Sequence, residues 1–421
     1  MFKPAEWTHN TNLYEVNIRQ YSPEGTFAAF APHLPRLRNM GVDVLWFMPI
    51  TPISIEGRQG TLGSYYACSD YTSTNPEFGS VNDFKELVRQ AHALGFKVII
   101  DWVANHTGLD HWWTQQHPEY YVRNAQGKFY DKHGWHDVID LNYYNHQLRA
   151  HMIEAMQFWV KECDIDGFRC DMAHLVPLDF WRTARATLDA IKPLFWLAET
   201  ETISYHEAFD ASYTWNWMHQ TEKFSKGQIN VHGLQQTLDN YRAQFPRAAL
   251  RLYFTANHDE NSWNGTEYEK YGDAALPLAV FSCTWDGLPL IYSGQEMPNK
   301  KRLKFFDKDP IAWDGEYALH DFYKVLLELR ASNPALRAGD PSVHTARVHT
   351  TADDHIFCFS RRKDAHEVLV LLNLSSLDLK FELRNQDIRG QFRNVFNGHA
   401  LQLPAEKHIE LTAWNYLVLE K

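Results

Sequence analysis

Three carboxylates stand where short apolar runs end: Asp171 in DGFRCDMAH, Glu199 in FWLAET and Asp259 in FTANHDEN. Like charges gathered at one place raise one another's pKa, so three acids on one face call for a chemical reason. Cleaving a glycosidic bond supplies one. It needs a protonated carboxyl to feed the leaving oxygen and an ionised one to attack or to activate water. Arg169 lies two residues before Asp171, and side chains at i and i+2 of a strand share a face, so its guanidinium can hold Asp171 ionised. Trp196, Leu197 and Ala198 precede Glu199 and give it the apolar setting that suits an acid with a raised pKa. His106 and His258 each follow an asparagine, Asn105 and Asn257, which points to binding of substrate hydroxyls. No HxxxH or HxH pair speaks for zinc. The five cysteines, Cys68, Cys163, Cys170, Cys283 and Cys358, are scattered without a CxxC, so no disulfide framework is expected.

These residues must be carried by something that brings strand ends together. Apolar runs at 13–21, 42–50, 97–105, 165–173, 195–200, 211–216, 251–259 and 288–296 alternate with helical patterns. One such pattern, 82–94, has Phe84, Leu87, Val88, Ala91 and Leu94 at i, i+3, i+4 spacing; another covers 145–162. Strand and helix alternating eight times predict a (β/α)₈ TIM barrel, which builds its site at the C-terminal ends of its strands. The barrel is expected over 1–106 and 146–334. Residues 107–145, rich in Trp, Tyr and His, form a short excursion after the third strand that overhangs the mouth. From 335 to 421 short β-type runs (354–359, 367–374, 380–383, 391–395, 414–420) predict an antiparallel β-sandwich domain.

The 421 residues suit one barrel plus an accessory domain, and 44% hydrophobic residues suffice for a large core. A net charge of -11 argues against nucleic acid or an anionic membrane surface as partner and leaves a neutral substrate unopposed. The 15 Trp and 20 Tyr suit the apolar faces of sugar rings. Residues 1–12, with Lys3, Glu6 and His9, lack the apolar stretch of a signal peptide, and no run is long enough to span a membrane. The expectation for the chain as written is a cytoplasmic location.

With these residues in view, the chain resembles the α-amylase superfamily, glycoside hydrolase family 13. DWVANH (101–106) resembles the third-strand motif, GFRCD (167–171) the fourth, Glu199 in LAET the fifth, and NHD (257–259) the seventh. SYYACSDY resembles the segment that places Tyr66 against the sugar ring, and YSGQE (292–296) the usual eighth-strand ending. The resemblance implies a retaining hydrolase of α-1,4-linked starch-type glucans or maltooligosaccharides. Asp171 would be the nucleophile and Glu199 the acid/base. Asp259 would hold the distorted sugar, Tyr66, His106, Arg169 and His258 would line its subsite, and Asp101 would orient the group.

The chain also departs from the pattern. Asn105 and Asp140 match two calcium positions of the family, but the liganding histidine is replaced by Leu175. No cofactor is expected for the chemistry; a structural calcium at Asn105 and Asp140 is left open, and chelator is expected to leave thermal stability nearly unchanged. Two other readings stand beside hydrolysis: a transglycosylase, α-glucosidase or cyclomaltodextrinase-like enzyme on the same scaffold, and a non-catalytic scaffold protein. The short excursion predicts an open cleft and favours internal cleavage, unless the loop 297–315 closes one end.

Overall fold

In the computed structural model of the chain, which describes residues 2, 4–385, 387–404 and 408–421, eight parallel strands close into a barrel. They are β1 (Leu13–Val16), β2 (Val44–Phe47), β3 (Lys97–Trp102), β4 (Gly167–Cys170), β5 (Phe195–Ala198), β6 (Ala211–Tyr213), β7 (Leu250–Tyr253) and β8 (Leu288–Tyr292). Each pairs with its neighbours in sequence, and β8 closes on β1 through Leu13 opposite Leu290. The (β/α)₈ expectation is met.

The period-two alternation of a strand divides the core in two. Leu13, Val44, Trp46, Ile99, Leu197, Leu250, Leu252 and Leu290 fill the barrel interior. Their neighbours Tyr14, Leu45, Phe47, Val98, Ile100, Phe168 and Trp196 pack outward against the helices. The helix Val81–Ala93 buries Phe84, Leu87, Val88 and Ala91, and a reciprocal Ser80–Asp83 capping box closes its start. The helix His146–Cys163 begins at Asn145, whose side chain accepts from the Gln147 and Leu148 amides. Gly167 opens β4 because the Phe195 carbonyl oxygen would lie 2.1 Å from any Cβ there.

The strands are shorter than the apolar runs. The run 13–21 stops pairing at Val16 and turns into a helical turn, Ile18–Tyr21; the run 251–259 stops at Tyr253. Burial continues past the last ladder hydrogen bond, because the segments at the mouth fold inward over the barrel. Asn257 and His258 are buried without being in a strand.

The excursion is pinned at its base by a ribbon of His106–Gly108 and Val138–Asp140. After the last barrel helix, His320–Ser332, a six-stranded antiparallel sheet runs in the order His344–Arg347, Ile356–Lys363, His366–Asn373, Tyr416–Glu420, Gly390–Asn394, Ala400–Leu403. A two-stranded sheet, Leu379–Phe381 with Ile409–Leu411, lies over it. Alternation again sorts the side chains: Phe357, Phe359, Val368 and Val370 face the barrel, while Ile356, Cys358, Leu369 and Leu371 face the small sheet. The strands His344–Arg347, Ala400–Leu403 and Ile409–Leu411 were not legible in the sequence, being short and half exposed. No helix among the described residues is long and apolar enough to cross a membrane. Met1 and Lys3 of the polar N-terminal stretch, and Gln386 and 405–407 of the C-terminal region, lie outside the described residues.

Candidate active site

At the C-terminal end of the barrel the interior layer changes from aliphatic to charged. Glu15 (β1), Asp101 (β3), Arg169 (β4) and Tyr213 (β6) occupy inward positions, and Asp171 and Glu199 follow the last residues of β4 and β5. Arg169 is fully buried at the centre. Its Nη1 donates to Asp101 Oδ1 at 2.9 Å and to Asp171 Oδ1 at 3.0 Å, its Nε to Tyr213 Oη at 3.2 Å, and its Nη2 lies 2.8 Å from Glu199 Oε2. The Trp46, Tyr66 and Tyr213 rings surround the guanidinium at 5.1 to 5.8 Å. One guanidinium thus spans the gap between Asp171 and Glu199. Isolated, each of these buried carboxylates would be costly; around a shared cation they tolerate burial.

The backbone after Asp171 is bent for this purpose. Met172 adopts φ 40, ψ 45, a left-handed conformation that an L side chain rarely takes. The turn aims the Met172 amide at Glu199 Oε2, 2.9 Å away.

Burial pushes both acids up, Asp171 to about 6 and Glu199 to about 7, with Arg169 pulling each back and the neighbouring acids adding to the rise. The separation has the sense that acid catalysis needs: as pH rises Asp171 gives up its proton first and Glu199 holds its own longer. Asp101 also rises to about 6 through burial. Asp259 goes the other way. Burial raises it, but His258 outweighs that and holds its carboxyl below the usual range. His258 Nε2 lies 3.3 Å from Asp259 Oδ2 and 2.7 Å from Tyr66 Oη, and Tyr66 Oη donates to Asp101 Oδ2 at 3.1 Å.

His106 stands on the opposite wall, its ring edge-on to Trp135 at 5.2 Å, and burial lowers it to about 4, so it is neutral. The structure therefore brings together Tyr66, Asp101, His106, Arg169, Asp171, Glu199, His258 and Asp259. All but Asp101 and Arg169 line one cavity of about 290 Å³; those two lie beneath it.

Several lining residues escaped the sequence reading. Trp263 comes from a π-helical turn, Glu260–Asn264, directly after Asp259; such turns recur at functional sites. With Phe305 and Phe306 it forms an aromatic wall, ring centroids 5.1 and 5.7 Å away. Asp137, from the excursion, also lines the cavity. An acid in the apolar stretch LYEV was a usable sign for Glu15, since carboxylates are seldom fully buried unpaired.

Two loops at the cavity's rim are bonded to each other. The Leu62 amide donates to Phe306 O at 2.9 Å, Thr61 donates twice to Asp307 Oδ1, and Arg19 reaches Gly63 O at 2.9 Å and Phe305 O at 3.3 Å. The loop after β8 is thereby fastened to the loop after β2. The cavity is lined from the excursion by Trp135, Asp137 and Val138, and from the two bridged loops by Gln59, Ser64, Phe305 and Phe306.

Asn105 and Asp140 do meet: the Asn105 amide points at Asp140 Oδ1 at 3.5 Å. The Lys132 ammonium stands 3.5 Å from Asp140 Oδ2, whose other donor is the Lys132 backbone amide at 3.3 Å. Asp131 and His133 bring potential ligand atoms within 4.8 Å of Asp140. Asp140 thus has both kinds of neighbour: the Asn105 amide and Lys132 present hydrogens to it, and Asp131 and His133 present acceptor atoms.

The catalytic-domain model of the α-amylase family, described as "Alpha amylase, catalytic domain", matches residues 8–124 and 119–325. The chain is 27% identical to α-amylase MalA of Haloarcula japonica over 388 residues, covering 88% of this chain and 56% of that protein; it thus spans little more than half of that relative's length. Among solved structures it resembles a noncanonic maltogenic α-amylase of Thermotoga neapolitana (29% identity, TM-score 0.89, 98% of each chain). It is as similar to an α-amylase of Lactobacillus plantarum (29% identity, TM-score 0.89, 98% of this chain and 99% of that one).

Proposed function

The chain belongs to the α-amylase family, and on that premise we propose that it is a retaining glycoside hydrolase of α-1,4-linked glucans and maltooligosaccharides. The observation that carries this reading is the single guanidinium of Arg169 held between Asp171 and Glu199, two acids whose environments separate their protonation.

In this reading the sugar ring to be attacked lies over Tyr66, with hydroxyls at His106, His258 and Asp259. Glu199 gives its proton to the glycosidic oxygen while an Asp171 oxygen bonds to the anomeric carbon and the bond to the leaving sugar breaks. Glu199, now ionised, takes a proton from water. The resulting hydroxide equivalent displaces Asp171, and two inversions restore the α configuration. Arg169 keeps Asp171 anionic as nucleophile and stabilises Glu199 after it has given up its proton. Arg169 ties Asp101, Asp171, Glu199 and Tyr213 together, so the polar layer is arranged before substrate arrives; this is the preorganisation on which electrostatic catalysis depends.

The bridge between the β2 and β8 loops bears on the substrate. We take this bridge to block one end of the cleft to a long glucan, and therefore short maltooligosaccharides and chain ends as the preferred substrates over internal bonds. The name of the Thermotoga relative, a maltogenic enzyme, agrees with short products. Transfer to a sugar hydroxyl instead of water is the second reading. The aromatic wall of Trp263, Phe305 and Phe306 favours it by offering an acceptor ring a stacking surface. We place the enzyme in a reducing, aqueous compartment, in keeping with five free, buried cysteines. Time-resolved products from maltoheptaose, starch, pullulan and cyclodextrins test the proposal. Short maltooligosaccharides from maltoheptaose ahead of any fall in starch viscosity are expected; early random cleavage of starch would restore the open-cleft view, and no cleavage of any of them would overturn the assignment.

A further inference from the structure

Glu15 has no part in the scheme above, yet it lies under the residue that binds the sugar. It sits in the middle of β1, fully buried, facing into the barrel. Its Oε1 is 2.5 Å from His258 Nδ1, and its Oε2 has no hydrogen-bond partner among the described residues. A carboxylate buried in this way concentrates its effect on one histidine nitrogen.

The hydrogen-bond logic around His258 can be followed atom by atom. Nδ1 faces a carboxylate, which is an acceptor, so Nδ1 must carry hydrogen. Nε2 faces Tyr66 Oη at 2.7 Å and Asp259 Oδ2 at 3.3 Å. Tyr66 spends its own proton on Asp101 Oδ2, so its oxygen is left as an acceptor for Nε2, and Asp259 is an acceptor as well. With the Tyr66 proton on Asp101, both ring nitrogens meet acceptors and both donate. A neutral Nδ1–H imidazole would have to take the Tyr66 proton away from Asp101 and would set the Nε2 lone pair against Asp259 Oδ2; the imidazolium avoids both.

We infer that Glu15 is a positioning residue acting through His258: it claims the Nδ1 hydrogen and so commits Nε2–H to donate into the sugar-binding face. The effect on turnover rests on the glycosidase reading above; the effect on His258 does not. The charge balance around the ring agrees. Burial disfavours the imidazolium, but Asp259 and Glu15 together hold His258 well above the usual histidine range. Burial raises Glu15, with His258 and Arg169 pulling it back. Asp101 from β3 also faces this group, while Trp46 and Phe305 contribute only ring contacts at 6.1 and 6.4 Å. A glutamine at position 15 would keep the shape and lose the charge. Its amide can offer either an N–H or a C=O to Nδ1, so the second proton on the ring would no longer be enforced.

The test reads the ring directly. The full chain is labelled with nitrogen-15 in its histidines, His258 is assigned by the signal lost in His258→Gln, and both ring nitrogens are followed between about pH 5 and 8, where an unperturbed histidine loses its charge. In the wild-type chain both nitrogens should stay protonated throughout. In Glu15→Gln, His258 should titrate to the neutral form inside that window, a downward shift of at least about one unit. Glu15→Asp, which keeps a carboxylate, should restore the imidazolium in part. Alongside, kcat/KM on a maltooligosaccharide should fall on the order of 100-fold in Glu15→Gln, with its alkaline limb displaced to lower pH, and recover partly in Glu15→Asp. A wild-type His258 that is neutral at pH 7 overturns the proposal even if no variant folds, and so does an unchanged titration in Glu15→Gln. If the wild-type chain cleaves no α-glucan while His258 behaves as described, the glycosidase reading fails and the role of Glu15 stands.

Discussion

The barrel buries arginine at both of its ends, and the two ends treat it in opposite ways. At the mouth, Arg169 meets three carboxylates and its protonated form is held more firmly than in water. At the other end, where the C-terminal sheets dock, Arg330 donates to the Thr11 and Gly287 carbonyls, and Arg361 to those of Trp285, Leu336 and Arg337, with Asp286 as its one carboxylate. Burial there pushes both guanidiniums down, Arg330 to about 9. Carbonyl dipoles take up most of the N–H groups, leaving Arg330 Nη1 and Arg361 Nε without a partner among the described residues, and do not match the charge. Burial of a cation is therefore no sign of function by itself. The kind of partner separates a centre that arranges protons from a tie that joins two parts of a chain.

The sharpest way to break this comparison is to remove a carboxylate at the mouth. Asp171→Asn keeps the shape and loses the nucleophile, so kcat should drop on the order of 10⁴-fold or more with an unchanged circular dichroism spectrum. Near-normal turnover would mean that the charged layer is structural after all. A second test uses the opposed protonation of the pair. Activity requires Asp171 ionised and Glu199 protonated, so kcat/KM should rise with pH through about 6 and fall again through about 7, a narrow bell whose limbs belong to the coupled pair. A plateau from pH 5 to 9 would contradict it.

The seam should answer differently. Arg361→Met leaves three carbonyls without their donor, at a cost of about 2 kcal/mol in stability. Melting should come several degrees earlier, while kcat per folded molecule stays the same. A loss of kcat without a loss of stability would erase the distinction between the two ends. The smallest effect is expected in the excursion, where Lys132 already compensates Asp140. Chelator should leave the melting temperature within error, and a drop reversed by calcium would show that the ammonium gives way to the ion.

What the sequence disclosed follows from how far apart the partners lie. Arg169 and Asp171 belong to one strand, so their pairing could be read from spacing, and the eight strands announced themselves by their apolar runs. Glu199 was expected in a purely apolar setting. Its contacts with Arg169 and the Met172 amide depend on how β4 and β5 align and on a left-handed turn, neither of which local pattern encodes. Glu15 lies 243 residues from His258, and Thr61 lies 246 from Asp307; only closure of the barrel brings either pair together. The open cleft was inferred from the length of one loop, whereas two others, bonded to each other, also line the cavity.

The central claim is that Asp171 and Glu199 act as nucleophile and acid/base across a gap spanned by one guanidinium. The anomeric form of the first sugar released tests it most directly. Proton NMR of maltoheptaose with enough enzyme to outpace mutarotation should show the new reducing end appearing as the α-anomer, relaxing afterwards to the equilibrium mixture. Initial appearance of the β-anomer would mean a single displacement by water, and Asp171 could not then be the nucleophile.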